Sequence, residues 1–210
     1  NSPCCTIDPN VGIFEVPDTR LAALTGIAKP QKVIPAVVEF VDIAGLVEGA
    51  SEGKGKGNAF LSNIRETDAI AHVVRCFVND DVIHVMEKVD PIRDAEVINL
   101  ELSLADLDVI SKAAERIARV AKSGADKAQT AKYEVLRKMQ AHLDAGSPAR
   151  SLPLTADETA HLKEFNLITG KPMLYVANVD EKGLKDGNEL LAKVQALAKK
   201  EGAEVVAVCA

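Results

Sequence analysis

Asp42 and Gly45 close an apolar run, Ala-Val-Val-Glu-Phe-Val-Asp-Ile-Ala-Gly, at residues 36–45. A buried strand that delivers an acid to the rim of a parallel sheet does so where phosphate and Mg²⁺ chemistry is carried out. In nucleotide hydrolases such an aspartate holds Mg²⁺ through water, and the glycine amide senses the terminal phosphate. The pattern D-x-x-G is common by chance; its place after a strand gives it weight. A second polar strand exit comes later, where Asn178-Val-Asp-Glu181 follows the apolar run Met173–Ala177. An Asn there, with a carboxylate three residues on, is the layout of a base-recognition site. Guanine-specific sites of this kind read N-K-x-D, the acid accepting from the guanine N1–H and amino group. Here Val179 stands in place of the Lys and Glu181 in place of the Asp. Adenine N1 is an acceptor and repels a carboxylate, so a longer, displaced Glu relaxes guanine selection. The alternative for this segment is a plain polar turn. Cys209-Ala210 ends the next strand-like run, a position that offers backbone amides to a base.

These residues need strands and helices to hold them. Strands are expected at 11–17, 33–41, 70–77, 173–177 and 204–208, and helices at 58–67 and 188–200. Strands alternating with helices argue for an α/β domain with a largely parallel sheet. Between 98 and 171 no strand is visible. Leu100, Leu104, Leu107, Ile110, Ile117 and Val120 recur at helical spacing, and Val135, Met139 and Leu143 share a face of a second helix ending near Gly146. Two such amphipathic helices form an antiparallel hairpin. Thr155-Ala-Asp-Glu158 is a capping box that opens a third helix. The expected organisation is a nucleotide-binding domain at 1–97, a helical coiled-coil insertion at 98–168, and the domain's second part at 169–210.

The segment 45–57 holds five glycines in thirteen residues. Ordering it is entropically costly, so a switch that closes on a γ-phosphate is one expectation and an ordinary surface loop the other. Gly53, Gly55 and Gly57 neither follow a strand directly nor have the spacing of a dinucleotide fingerprint, which sets aside a Rossmann dehydrogenase. The 210 residues are 47% apolar and 27% charged, as in soluble globular proteins. Aromatics are 3% and net charge is −6, against a base-stacking or globally basic nucleic-acid binder. Cys4, Cys5, Cys76 and Cys209 form no C-x-x-C pair, which favours reduced thiols in a cytosolic protein. No signal peptide or bilayer-spanning run is visible. The chain starts without Met and both ends look cut, as in a piece of a longer protein.

In sequence order, Thr6, Asp42-Ile-Ala-Gly45, Asn178-x-x-Glu181 and Cys209-Ala210 resemble the YchF family, the Obg-like ATPases among the P-loop GTPases. The resemblance runs nearly end to end. It is carried further by Cys5-Thr-Ile-Asp-Pro-Asn10, Phe40-Val-Asp-Ile-Ala-Gly-Leu-Val47, Asn63-Ile-Arg-Glu-Thr-Asp-Ala69, His72–Phe77, Val89-Asp-Pro91, Ala105-Asp-Leu-Asp108 and Lys171-Pro-Met173. It implies a P-loop NTPase fold with a mostly parallel sheet, a coiled-coil insertion and a C-terminal TGS domain. It implies hydrolysis of ATP, often better than GTP, with Mg²⁺, and association with ribosomes or other RNA-containing partners. By position, Thr6 and Asp42 match the Mg²⁺ ligands and Gly45 the γ-phosphate sensor. Asn178, Val179, Glu181, Cys209 and Ala210 match the base site. Leu46 stands where Ras-like enzymes carry the water-orienting Gln, and His84 matches a histidine given that task in the family; a satisfied structural histidine is the alternative. The G-x-P-N-x-G-K-S phosphate loop and the TGS domain are absent, so this piece alone is expected to lack turnover. Ser2 and Cys4 replace aromatics usual in the family, and Lys54 and Lys56 replace an acid and an apolar residue. A non-catalytic ribosome- or nucleic-acid-binding module is the second expectation.

Overall fold

The structure, a computed structural model, describes residues 10–43, 56–79, 89–124 and 126–210, with the side chains of 56–59 left aside. The chain divides into two compact units, Asn1–Gly45 and Leu46–Ala210.

In the first unit, β1 (Asn10–Glu15) pairs antiparallel with β2 (Val37–Asp42), Asn10 facing Asp42 and Phe14 facing Val38. Helix α1 (Thr19–Ala28) connects them. Asp18 caps α1 by accepting from Arg20 N, and Lys29 ends it in the left-handed region at φ 42°. The rings of Phe14 and Phe40 meet edge to face, 5.7 Å apart. The buried strand expected at 33–41 is therefore corrected. β2 is shorter, and Val37, Val38 and Phe40 are exposed. Among the described residues its only sheet neighbour is β1, and α1 buries no residue.

The second unit contains the parallel sheet, in the order β3-β4-β5: β3 (Ile70–Arg75), β4 (Met173–Asn178) and β5 (Glu204–Val208). Helix α2 (Lys56–Glu66) leads into β3. β3 is half-buried rather than fully buried: Val74 faces the core, while Ala71 and Val73 face out. Central β4 buries Met173, Tyr175 and Ala177, with Val74, Cys76, Val179, Val194 and Ala198 around them.

The crossover from β3 to β4 is helical. α3 (Pro91–Ser123) is a single unbroken helix. Asp90 caps it, accepting from Ile92 N and Arg93 N, with Pro91 just inside. α4 (Lys127–Asp144) returns antiparallel, since Thr130 Oγ1 donates to Ala121 O at 3.1 Å and Gln140 Nε2 to Ser111 Oγ at 2.9 Å. α5 (Ala156–Leu162) opens on the expected capping box. The hairpin has its own core of Ile110, Ala113, Ala114, Val135, Leu136, Met139 and Leu143. Leu100, Leu104 and Val120, from the expected apolar stripe, are exposed. The buried face of α3 combines Leu102 and Ile110 with Ala95, Ala105, Ala113, Ala114 and Ala121. α6 (Glu181–Asp186) and α7 (Glu189–Glu201) link β4 to β5.

Two polar knots tie the hairpin to the sheet. Fully buried Asp106 accepts from Ile168 N (2.9 Å), Thr169 N (2.7 Å) and Thr169 Oγ1 (2.8 Å), with the Arg65 guanidinium 3.6 Å away. Burial raises the Asp106 pKa; these partners act against that. In the other knot, Glu201 accepts from Tyr175 Oη (2.9 Å), Asn99 Nδ2 (3.3 Å) and Arg150 Nη2 (2.9 Å).

Candidate functional site

The polar exits of β2 and β4 lie in different units. In the first, Asp42 is the last residue of β2 and its carboxylate stands in solvent. Thr6, Gly45, Leu46, Lys54 and His84 lie outside the described residues, as do Ser2, Cys4 and Cys5. Asp42 is a hard oxygen donor. Mg²⁺ takes one or two protein carboxylates and completes its shell with water and substrate phosphates. Asp42 fits such a role, and among the described residues no three His, Cys, Asp or Glu side chains converge to form a full cage.

In the second unit, the exit of β4 is braced from both neighbours. Cys76 N, just past β3, donates to Asn178 O at 2.7 Å, and Val179 N donates to Val208 O at 2.8 Å. Asn178 Oδ1 accepts from Ala210 N at 3.3 Å. The structure thus brings Asn178 and the 209–210 backbone together, as a base site needs. Val179 is 1% exposed and belongs to the sheet core. In the lysine position of the motif it offers no side-chain polar group to a ligand and anchors the turn by packing.

The two adjacent acids are separated by geometry. Asp180 Oδ1 accepts from Gly183 N at 2.6 Å and caps α6, so it is occupied. Glu181, the first residue of α6, is exposed and has no hydrogen-bond or ion-pair partner among the described residues. Cys209 is an exposed free thiol, whereas burial pushes the Cys76 thiol up to about 11 and keeps it protonated. Sequence reasoning passed over Asn188, whose side chain caps α7 and reaches Cys76 O. The available signal was an Asn just before the apolar periodicity of 190–198.

His72 is half-buried on β3 and stacks on Tyr175, the rings 5.4 Å apart. Its Nδ1 is enclosed without a partner among the described residues, and burial lowers its pKa to about 4. A neutral ring held under α3 is a packing residue. Among the described residues no helix is long and apolar enough to cross a membrane.

A parallel sheet with polar residues at its strand exits, interrupted by a helical crossover, has the fold of the P-loop nucleoside triphosphatases. Residues 1–111 match the family model described as 50S ribosome-binding GTPase. The ribosome-binding ATPase YchF of Bacillus subtilis is 50% identical over the whole chain, and that of Escherichia coli O157:H7 is 51% identical. The solved structure of the YchF GTPase of Schizosaccharomyces pombe superposes with a TM-score of 0.80 at 34% identity, covering 100% of this chain and 57% of that one. The chain belongs to the 50S ribosome-binding GTPase family, within its YchF branch. It spans 58% and 57% of the length of the two bacterial relatives.

Proposed function

We propose that the protein carrying this chain is a nucleoside triphosphatase that binds ATP and GTP, favours ATP, and works as a nucleotide-dependent switch on ribosomes in the cytoplasm. The observation that carries this is the exit of β4: Asn178 held against the Ala210 amide, Asp180 occupied as a cap, and Glu181 left free in solvent. A free, long carboxylate can reach a guanine edge without being fixed there, which supports tolerance of adenine. The bacterial relatives named ribosome-binding ATPases support the ribosomal partner.

In this scheme Asp42 and Thr6 hold Mg²⁺, which neutralises charge on the phosphates when bound. Gly45 senses the γ-phosphate. Asn178, Glu181 and the amides of Cys209 and Ala210 recognise the base, with Val179 packing beneath them. His84 orients the attacking water, because the apolar Leu46 lacks any group to do so. The hairpin of α3 and α4 faces the ribosome as a coiled coil, with RNA phosphate as a contact for Lys54 and Lys56.

The test is nucleotide binding and turnover by the complete gene product. Asn178→Ala is expected to weaken nucleotide binding about tenfold, the value of a lost hydrogen-bonding group in a formed site. Unchanged affinity and unchanged ATP/GTP preference remove the base-site assignment. His84→Ala is expected to slow hydrolysis about 100-fold with affinity retained; a wild-type rate removes its catalytic role. A second reading, a binding module without catalysis, draws on the separate core of the hairpin. Ribosome capture that persists equally without nucleotide favours it.

A further inference from the structure

Asn188 makes three contacts that meet beside the β4 exit. Its Oδ1 accepts from Leu191 N at 2.8 Å, capping α7. Its Nδ2 donates to Cys76 O at 2.8 Å. The same Nδ2 lies 2.7 Å from where a Cβ on Gly183 would stand. That point is also 2.7 Å from Asp180 Oδ1 and 3.1 Å from Val179 Cβ. Gly183 is buried, so close approach makes glycine necessary here.

The contacts close into a ring. Asn178 O accepts from Cys76 N, Cys76 O accepts from the Asn188 amide, and that amide lies on Gly183. Gly183 N donates to Asp180 Oδ1, and the chain returns through Val179 to Asn178. Glu181 sits in this ring between Asp180 and Gly183, its backbone fixed on both sides and its carboxylate in solvent. A flexible side chain inherits its reach from its backbone anchor. A shift of about 1 Å separates a hydrogen bond from none.

We propose that Asn188, seated against Gly183, is the positioning residue that sets where Glu181 meets the purine edge, and so sets the ATP/GTP preference. This rests on the base-recognition role given above to Asn178 and Glu181. Asn188 acts through its neighbours and not on the nucleotide: its Nδ2 holds Cys76 O within the ring and its Oδ1 caps α7.

Two variants probe the ring from different sides. Asn188→Ser keeps a capping oxygen but loses the amide that reaches Cys76. Gly183→Ala places a methyl group where the Asn188 amide and the Asp180 carboxylate now sit. Dissociation constants for ATP and for GTP are measured on the complete gene product, with thermal melting alongside. Both variants are expected to move the ratio of the two constants by about threefold or more, the scale of an altered edge contact. In Asn188→Ser this comes with little change in melting temperature. A ratio held at the wild-type value, whether the constants are unchanged or fall together, overturns the proposal. Asn178→Ala, run in parallel, tells the failures apart. If it leaves both constants unaltered, the base-site assignment falls and the positioning role with it. If it weakens binding while the other two variants keep the wild-type ratio, only the positioning role falls.

Discussion

β2 and β4 both end in a polar residue at the carboxyl end of an apolar strand, yet their surroundings differ. Among the described residues β2 has one hydrogen-bonded neighbour, and it exposes Val37, Val38 and Phe40. β4 has a neighbour on each side and buries Met173, Tyr175 and Ala177. Correspondingly, Asp42 is exposed, while Asn178 is bonded through its carbonyl and its side chain to chain segments beyond β3 and β5. A carboxylate that holds a hydrated cation through water tolerates a loose seat. An amide that must recognise a flat base does not, and two-sided pairing supplies the rigidity.

The contrast can be broken by stability measurements on the chain. The largest effect is expected at the knot behind β4. Asp106→Ala leaves Ile168 N and Thr169 N unpaired and takes the acceptor from the Thr169 hydroxyl, at a cost of about 4 kcal/mol in urea unfolding. A loss below about 1 kcal/mol would mean the knot does not brace the sheet.

A smaller effect is expected from His72. Burial lowers its pKa from 6.5 to about 4, so between these values the unfolded chain binds a proton that the folded chain does not. Its contribution is complete above pH 6.5 and is lost as the pH falls towards 4, by about 3 kcal/mol. His72→Phe keeps a ring against Tyr175 and should flatten the stability profile relative to wild type in that window; identical profiles would remove His72 from the account.

The smallest effect is expected in the first unit. Phe40→Ala should cost under about 1 kcal/mol, against roughly 3–5 kcal/mol for a buried Phe. A loss in the buried range would show that β2 is covered in solution and erase the difference from β4.

The strand exits were legible because an apolar run stopping at Asp42 or Asn178 is a local pattern. The exposure of β2 was not. Its near-continuous apolar run reads as buried on both faces, but burial depends on layers that the strand's own residues do not encode. α1 escaped notice because it buries nothing and carries Gly26 within it. The stripe on α3 was legible only in part: Ile110 is buried and Leu107 and Ile117 pack on the hairpin core, while Leu100, Leu104 and Val120 are exposed. Ala105, Ala113, Ala114 and Ala121 are buried in places the leucine pattern did not mark. In the site, sequence placed Asn178 and Glu181 but could not tell Asp180 from Glu181 by bonding. Which acid turns inward is decided by the Gly183 amide, which donates to Asp180 Oδ1 and leaves Glu181 in solvent.

α3 passes without interruption from the sheet to the hairpin tip. Asn99 and Asp106 fasten its first half, while residues 107–123 extend beyond the fastenings for about 25 Å at the helical rise per residue. Mechanically this is a lever with its fulcrum beside β4. A tilt of 5° at the fastened end carries the tip through about 2 Å. A partner gripping the tip would thereby receive, enlarged and at a distance, any small displacement at the edge of the sheet.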